Sequence, residues 1–119
     1  ITNVPGASEV FRGGVVSYAS EVKFDLLGVP HGPVVSEAAA AAMAKGAQRV
    51  LGCHVALALT GVAGPTEQDG MPVGTLCVGI AIGPEVHTRT LRMPGVRDQM
   101  RQMSVISALD LLRRTLLAR

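Results

Sequence analysis

The segment SEAAAAAMAKGAQRVLG, residues 36–52, constrains the fold more than any other stretch of this chain. It is dominated by alanine, the best helix former. Ser36 is a good N-cap, Glu37 places an acid where the helix dipole favours one, and Gly52 closes the helix. Ala39, Met43, Ala47 and Val50 share one face of it. Side chains this small let a helix lie close against its partner, and the strands that follow make that partner a sheet.

His54–Leu59 and Val73–Ile82 are short apolar runs that read as strands. Glu85–Met93 alternates Val86, Thr88 and Thr90 against His87, Arg89 and Leu91, as a strand at a sheet edge does. Pro84 marks a hairpin turn between the last two. Upstream, Gly13–Ala19 (GGVVSYA) is rich in β-branched and aromatic residues and predicts a further strand. Pro5 and Gly6 make a turn, Ala7–Phe11 one helical turn, and Ser20 caps a short helix through Leu27 that Gly28 ends. Gly95–Ala118 reads as a long helix. Its predicted buried stripe is Val96, Met100, Met103, Ile106, Leu109, Leu112 and Leu116, with Arg97, Arg101, Arg113 and Arg114 mainly outside it. The order strand, helix, helix, strand, strand, strand, helix predicts an α/β (α+β) sandwich in which a mixed β-sheet carries flanking helices. The 119 residues suffice for one domain and one core. The opening ITNVPG reads as the exit from a preceding element, so the domain is expected to be incomplete at its N-terminus.

Several function classes are disfavoured. Net charge is +2 with scattered arginines, and one Tyr and two Phe leave little surface for stacking on bases, so no nucleic-acid partner is expected. No apolar run approaches the roughly 20 residues that span a bilayer, so no membrane partner is expected, and no signal-peptide pattern opens the chain. Cys53 and Cys77 stand alone, which suggests neither a zinc site nor a redox pair and fits a reducing, cytoplasmic setting. His31, His54 and His87 are too scattered for a cluster, and Glu67 and Asp69 lack a partner acid at a metal-binding spacing; no metal or cofactor is expected.

Two stretches rise above a generic domain. In GGVVSYASEVK, the single tyrosine, Tyr18, ends the predicted strand and Lys23 follows in the next helix. A lysine desolvated at such a strand end serves as a base, and a neighbouring phenol relays a proton or holds a substrate oxygen. The alternative is a half-buried tyrosine and a solvated lysine with no chemistry. In ALTGVAGP, Gly61 and Gly64 permit close approach to a ligand, the backbone N–H groups can cradle an anion or an amide, and Thr60 adds a hydroxyl donor. The alternative is a tight turn; the spacing matches neither GxxxxGK[ST] nor GxGxxG.

Together, VPGASEVFRGGVVSYASEVKFDLLGV, VSEAAAAAMAKGA, ALTGVAGP, PVGT and MPGVRDQMRQMSVISALDLLRR resemble the C-terminal domain of the competence- and damage-inducible protein CinA, over nearly all of the chain. The same domain occurs alone as nicotinamide-nucleotide amidase. The resemblance implies a single CinA-like amidase domain over residues 1–119. Its expected reaction is hydrolysis of the carboxamide of nicotinamide mononucleotide to nicotinic acid mononucleotide and ammonia, a step of bacterial pyridine-nucleotide recycling. Tyr18 and Lys23 match the catalytic tyrosine and lysine. Gly14, Thr60, Gly61, Val62, Ala63, Gly64 and Pro65 are the expected substrate-binding residues, with a pyridine nucleotide as ligand and a homodimer or higher homo-oligomer as the assembly. The family's nucleophilic serine lies in an ESCTGG motif a few dozen residues before the tyrosine. This chain has no such motif, and the element carrying it is expected before Ile1. Ser20 stands where the family usually has Asn, and TEQD stands where glycines often follow the proline. The alternative is a catalytically inactive nucleotide-binding or dimerisation module.

Overall fold

The computed structural model describes all of residues 1–119. After a 3-10 turn at Ala7–Glu9, the elements are α1 (Ser20–Asp25), α2 (Glu37–Leu51), β1 (Val55–Gly61), β2 (Thr75–Ile82), β3 (Glu85–Arg92) and α3 (Arg97–Leu117). The caps of α2 are those its sequence requires: Ser36 Oγ accepts from the Ala39 N–H at 3.0 Å, and Gly52 ends the helix with φ +61°. Ala19 rather than Ser20 caps α1.

The strands form one sheet in the order β1-β2-β3, antiparallel throughout. The expected mixed sheet differs from this because Gly13–Ala19 joins no ladder. The segment is extended, with Val15 and Ser17 turned inward and Val16 and Tyr18 outward, and Val15 packs on the core. Its backbone N–H groups make no hydrogen bond within the protein. The β propensity is thus expressed as extension and alternation, without a partner strand to complete it.

The helices cover opposite faces of the sheet. On one, Ala39, Met43 and Ala44 of α2 pack on Ala56, Ala58 and Ala81. The approach is so close that a Cβ on Gly79 would lie 2.3 Å from the Ala40 carbonyl oxygen. Val50, expected in this face, is exposed; Ala40, Ala44 and Gly46 are buried in its place. On the other face, Ala108 and Leu111 of α3 pack on Leu76, Val78, Ile80 and Ile82. The buried stripe of α3 is Met100, Ser104, Ala108 and Leu111, which corrects the expected one. Of the expected stripe only Met100 is fully buried, and Ile106 is 63% exposed. Two small residues, Ser104 and Ala108, share the stripe with Met100 and Leu111 where this helix meets the sheet. No helix is long and apolar enough to cross a membrane.

Candidate functional site

Beside the free edge of β1 lies a cleft of about 1180 Å³. Its walls are the unpaired segment Val10–Tyr18, strand β1 with the loop that follows it, and one side of α3. One end is apolar, formed by Leu51, Cys53, Val55, Leu57, Val105, Leu109 and Leu112; the other gathers polar groups.

Tyr18 and Lys23 both line this cleft, together with Gly14 and the run Thr60–Gly64. Two regions some forty residues apart in sequence are therefore brought to one concavity, although Gly13–Ala19 forms no strand. Lys23 is 9% exposed and carries no ion pair. Its Nζ donates to the carbonyl oxygen of Ser17 at 2.7 Å, which ties the amine to the residue before Tyr18. Burial pushes the ammonium below the ordinary lysine range, because the charged form loses solvation and gains no carboxylate. Tyr18 is 85% exposed and turned outward at the cleft rim, so its phenol is open to solvent.

The Thr60–Pro65 run divides. The Thr60 hydroxyl, expected as a ligand donor, instead donates to the Val34 carbonyl oxygen at 2.7 Å and is spent inside the protein. The Val62 N–H bonds the Thr75 carbonyl oxygen at 2.9 Å. The N–H groups of Ala63 and Gly64 have no partner, and these are the donors that the loop presents. Gly64 has φ +87°, which favours glycine, and a Cβ there would lie 2.8 Å from a Val73 methyl. Pro65, joined to Gly64 by a cis bond, stands outside the lining, which continues with Thr66, Glu67 and Gln68.

The loop is anchored from both sides. The Asp69 carboxylate accepts from the N–H groups of Val34 (2.9 Å) and Val35 (3.2 Å), and the Arg97 Nη1 donates to the Gly64 carbonyl oxygen at 2.8 Å. Among the groups at this polar end, Arg97, Arg101 and Ser104 were not in the sequence-based set. Apolar periodicity put both arginines outside the buried stripe, which is correct, and the outside of that stripe is the cleft wall. The available signal was their i, i+4, i+7 recurrence on α3.

Comparison with known proteins identifies the family of the chain. The CinA C-terminal domain family matches residues 1–116. The chain belongs to the CinA C-terminal domain family. A CinA-like protein of Frankia casuarinae is 53% identical over 122 residues, covering 98% of this chain and 28% of the relative. One from Mycobacterium marinum is 48% identical over 126 residues, covering 98% and 29%. The chain thus spans under a third of the length of these CinA-like relatives. Among solved structures, a CinA superfamily protein of Klebsiella pneumoniae superposes with a TM-score of 0.93 at 26% identity, covering 99% of this chain and 78% of that one. The competence/damage inducible protein CihA of Agrobacterium tumefaciens superposes at 0.85 with 31% identity, covering 95% and 73%.

Proposed function

We propose that this CinA-type domain hydrolyses the carboxamide of a pyridine nucleotide, nicotinamide mononucleotide, to the acid and ammonia. On this reading the nucleophile is the family's serine, whose motif residues 1–119 do not contain. The observation that carries the reading is Lys23: a buried amine without a counter-ion, sharing a cleft with Tyr18 and with two unpartnered N–H groups. A lysine poised toward its neutral form removes the serine proton. The alkoxide attacks the amide carbon, and the tetrahedral oxyanion is held by backbone N–H groups, for which Ala63 and Gly64 are available. Losing one such donor typically costs about 2.7–4 kcal/mol in the transition state. The lysine ammonium, with Tyr18 as relay, returns the proton to the leaving nitrogen. Ammonia departs from an acyl-enzyme, and water then attacks that ester, giving the carboxylate and the free serine. The direct assay is ammonia release from nicotinamide mononucleotide by the full-length protein. Unchanged turnover in a Lys23→Ala variant would remove the role assigned to it.

A second reading rests on the uncovered apolar surface: here the domain is a nucleotide-binding or dimerisation module. Val105, Ile106 and Leu109 of α3 are exposed, and β1 has an open edge with no charged residue. Calorimetric titration of the full-length protein separates the two readings, since binding without turnover supports the module. In either case we place the protein in the cytoplasm as a homodimer or larger assembly.

A further inference from the structure

The loop after β1 is a hairpin with a tip of its own. Its base is closed by the Val62 N–H, which donates to the Thr75 carbonyl oxygen, and by the Gly74 N–H, which donates to that of Val62, both at 2.9 Å. At the tip, Gln68 and Met71 exchange both backbone hydrogen bonds, at 3.1 and 2.8 Å. Asp69 and Gly70 between them have φ +53° and +74°, the two positive values that a type I′ turn requires. Thr66, Glu67 and Gln68 line the cleft, so one arm of the hairpin is part of its wall. Residues 65–70 are all exposed. Between Thr66 and Met71, the only side-chain hydrogen bonds to the rest of the protein are those of Asp69.

Those bonds end on a fixed anchor. Asp69 Oδ2 accepts from the N–H groups of Val34 and Val35, residues 5% and 1% exposed. The Val34 carbonyl oxygen accepts from the Thr60 hydroxyl on β1, so Val34 is tied to the sheet through one backbone group and to the hairpin tip through the other. Met71 packs on the cluster of Val34, Val35, Ala40, Val62 and Cys77, an apolar contact beside the polar one. Hydrogen bonds to a carboxylate are about twice as strong as neutral ones. Without Asp69 the two N–H groups have no protein partner, and the tip keeps only the Met71 contact. We propose that Asp69 is a positioning residue: it latches the hairpin as a wall of the cleft, and so holds Ala63 and Gly64, near the hairpin base, in their place in that wall. This rests on the amidase reading for the reaction it serves, whereas the latch itself rests on the bonds at the tip.

The test uses the full-length protein and its Asp69→Gly and Asp69→Asn variants. Glycine keeps the left-handed tip and removes the carboxylate; asparagine keeps the tip and one acceptor oxygen. In Asp69→Gly, hydrogen exchange of the segment holding Val34 and Val35 should quicken about tenfold, with β2 unchanged. With nicotinamide mononucleotide as substrate, kcat should fall about 10–100-fold and KM should stay within about threefold, since donors fixed in advance act on the transition state. Asp69→Asn should recover most of both. An Asp69→Gly kcat equal to wild type overturns the positioning role. Equal quickening in β2 overturns it too, because Asp69 would then serve global stability alone. So does an Asp69→Asn variant as impaired as Asp69→Gly, because the surviving acceptor would then latch nothing. If the wild type releases no ammonia, the amidase reading fails on its own, and exchange decides the latch. Faster exchange at Val34 and Val35 alone then supports it, and unchanged exchange overturns it.

Discussion

The two faces of the sheet are completed to different degrees. On the α2 side, Ala40, Ala44, Cys77 and Ala81 are wholly buried, and the helix lies within contact of the strand backbone at Gly79. On the α3 side, Ala108 and Leu111 seat the helix on β2, while the neighbouring stripe Val105, Leu109 and Leu112 faces the cleft. The sheet edges differ in the same way. β3 carries Glu85, Arg89 and Arg92, charges that discourage pairing. β1, VALALTG, carries none and stands open beside an extended segment that also lacks a ladder. Small side chains close one layer on themselves, whereas large apolar ones on the other side are left to meet something further. The closed face is therefore expected to govern stability and the open one, under the proposed function, binding, and substitutions should separate along that line.

The largest effect is expected at the open cleft, and in activity alone. Lys23→Met keeps the length of the side chain and removes the amine. In the full-length protein, kcat/KM for the amide should fall about 10²–10⁴-fold, the range of general acid–base contributions. The melting temperature should hold or rise, because a desolvated ammonium is replaced by an apolar group. Parallel kinetics and thermal melts read both. A loss of folding equal to the loss of rate would make Lys23 a structural residue.

Next in size is a paired truncation. Met43, 4% exposed, fills the α2 interface, and Met43→Ala should cost about 2–5 kcal/mol in denaturant unfolding. Val105, exposed on the cleft side of α3, should cost under about 1 kcal/mol on the same change. If Val105→Ala approaches Met43→Ala in the full-length protein, the stripe is covered there, by preceding polypeptide or by a second subunit. Sedimentation of the variant at several concentrations then distinguishes those two covers.

A third contrast uses glycines. A Cβ at Gly79 meets the Ala40 backbone, which cannot turn aside, so Gly79→Ala should lift α2 from the sheet and cost about 1–3 kcal/mol. At Gly14, in the open segment, a Cβ meets nothing within 4 Å, and Gly14→Ala should stay within about 0.5 kcal/mol. Urea midpoints measure both. Equal costs would mean that the Gly13–Tyr18 segment is as tightly held as the sheet.

This division also explains what was legible in the sequence. Signals that are satisfied locally were correct: the Ser36 cap, the Gly52 stop, and the Gly83–Pro84 turn that pairs Ile82 with Glu85. Signals that need a partner misled. GGVVSYA has strand chemistry, but pairing is a property of two segments. On α3, hydrophobic periodicity weighted large residues, yet Ser104 and Ala108 are buried beside Met100 and Leu111, because small residues also fit where the helix approaches the sheet. Lys23 and the Gly61–Gly64 run were legible as candidates because a lone lysine and paired glycines stand out beside apolar runs, and the cleft lining includes them. Arg101, which also lines the cleft, was marked only by its i, i+4 spacing from Arg97, a pattern that solvated arginines share.

The smallest expected effect belongs to the clasp that ties the closed layer to its charged edge. Glu37, at the start of α2, accepts hydrogen bonds from the hydroxyls of Thr88 (2.8 Å) and Thr90 (2.6 Å) on β3. These two bonds, Thr90 first, hold the carboxyl below its usual range, with Arg89 adding attraction. A carboxyl whose folded pKa is depressed contributes stability that is present above the unfolded value of 4.5 and lost as pH falls through the folded one. Thr90→Val removes the stronger bond, so its deficit against wild type should be steady near neutrality and shrink as pH falls below that unfolded value. Because the carboxylate is exposed, the deficit should be a fraction of the Gly79→Ala loss. Urea unfolding at a series of pH values follows it. A deficit that persists unchanged through the acid range would mean that the Thr90 hydroxyl acts through its contact with the buried Cys77 thiol, 3.8 Å away, and not through Glu37.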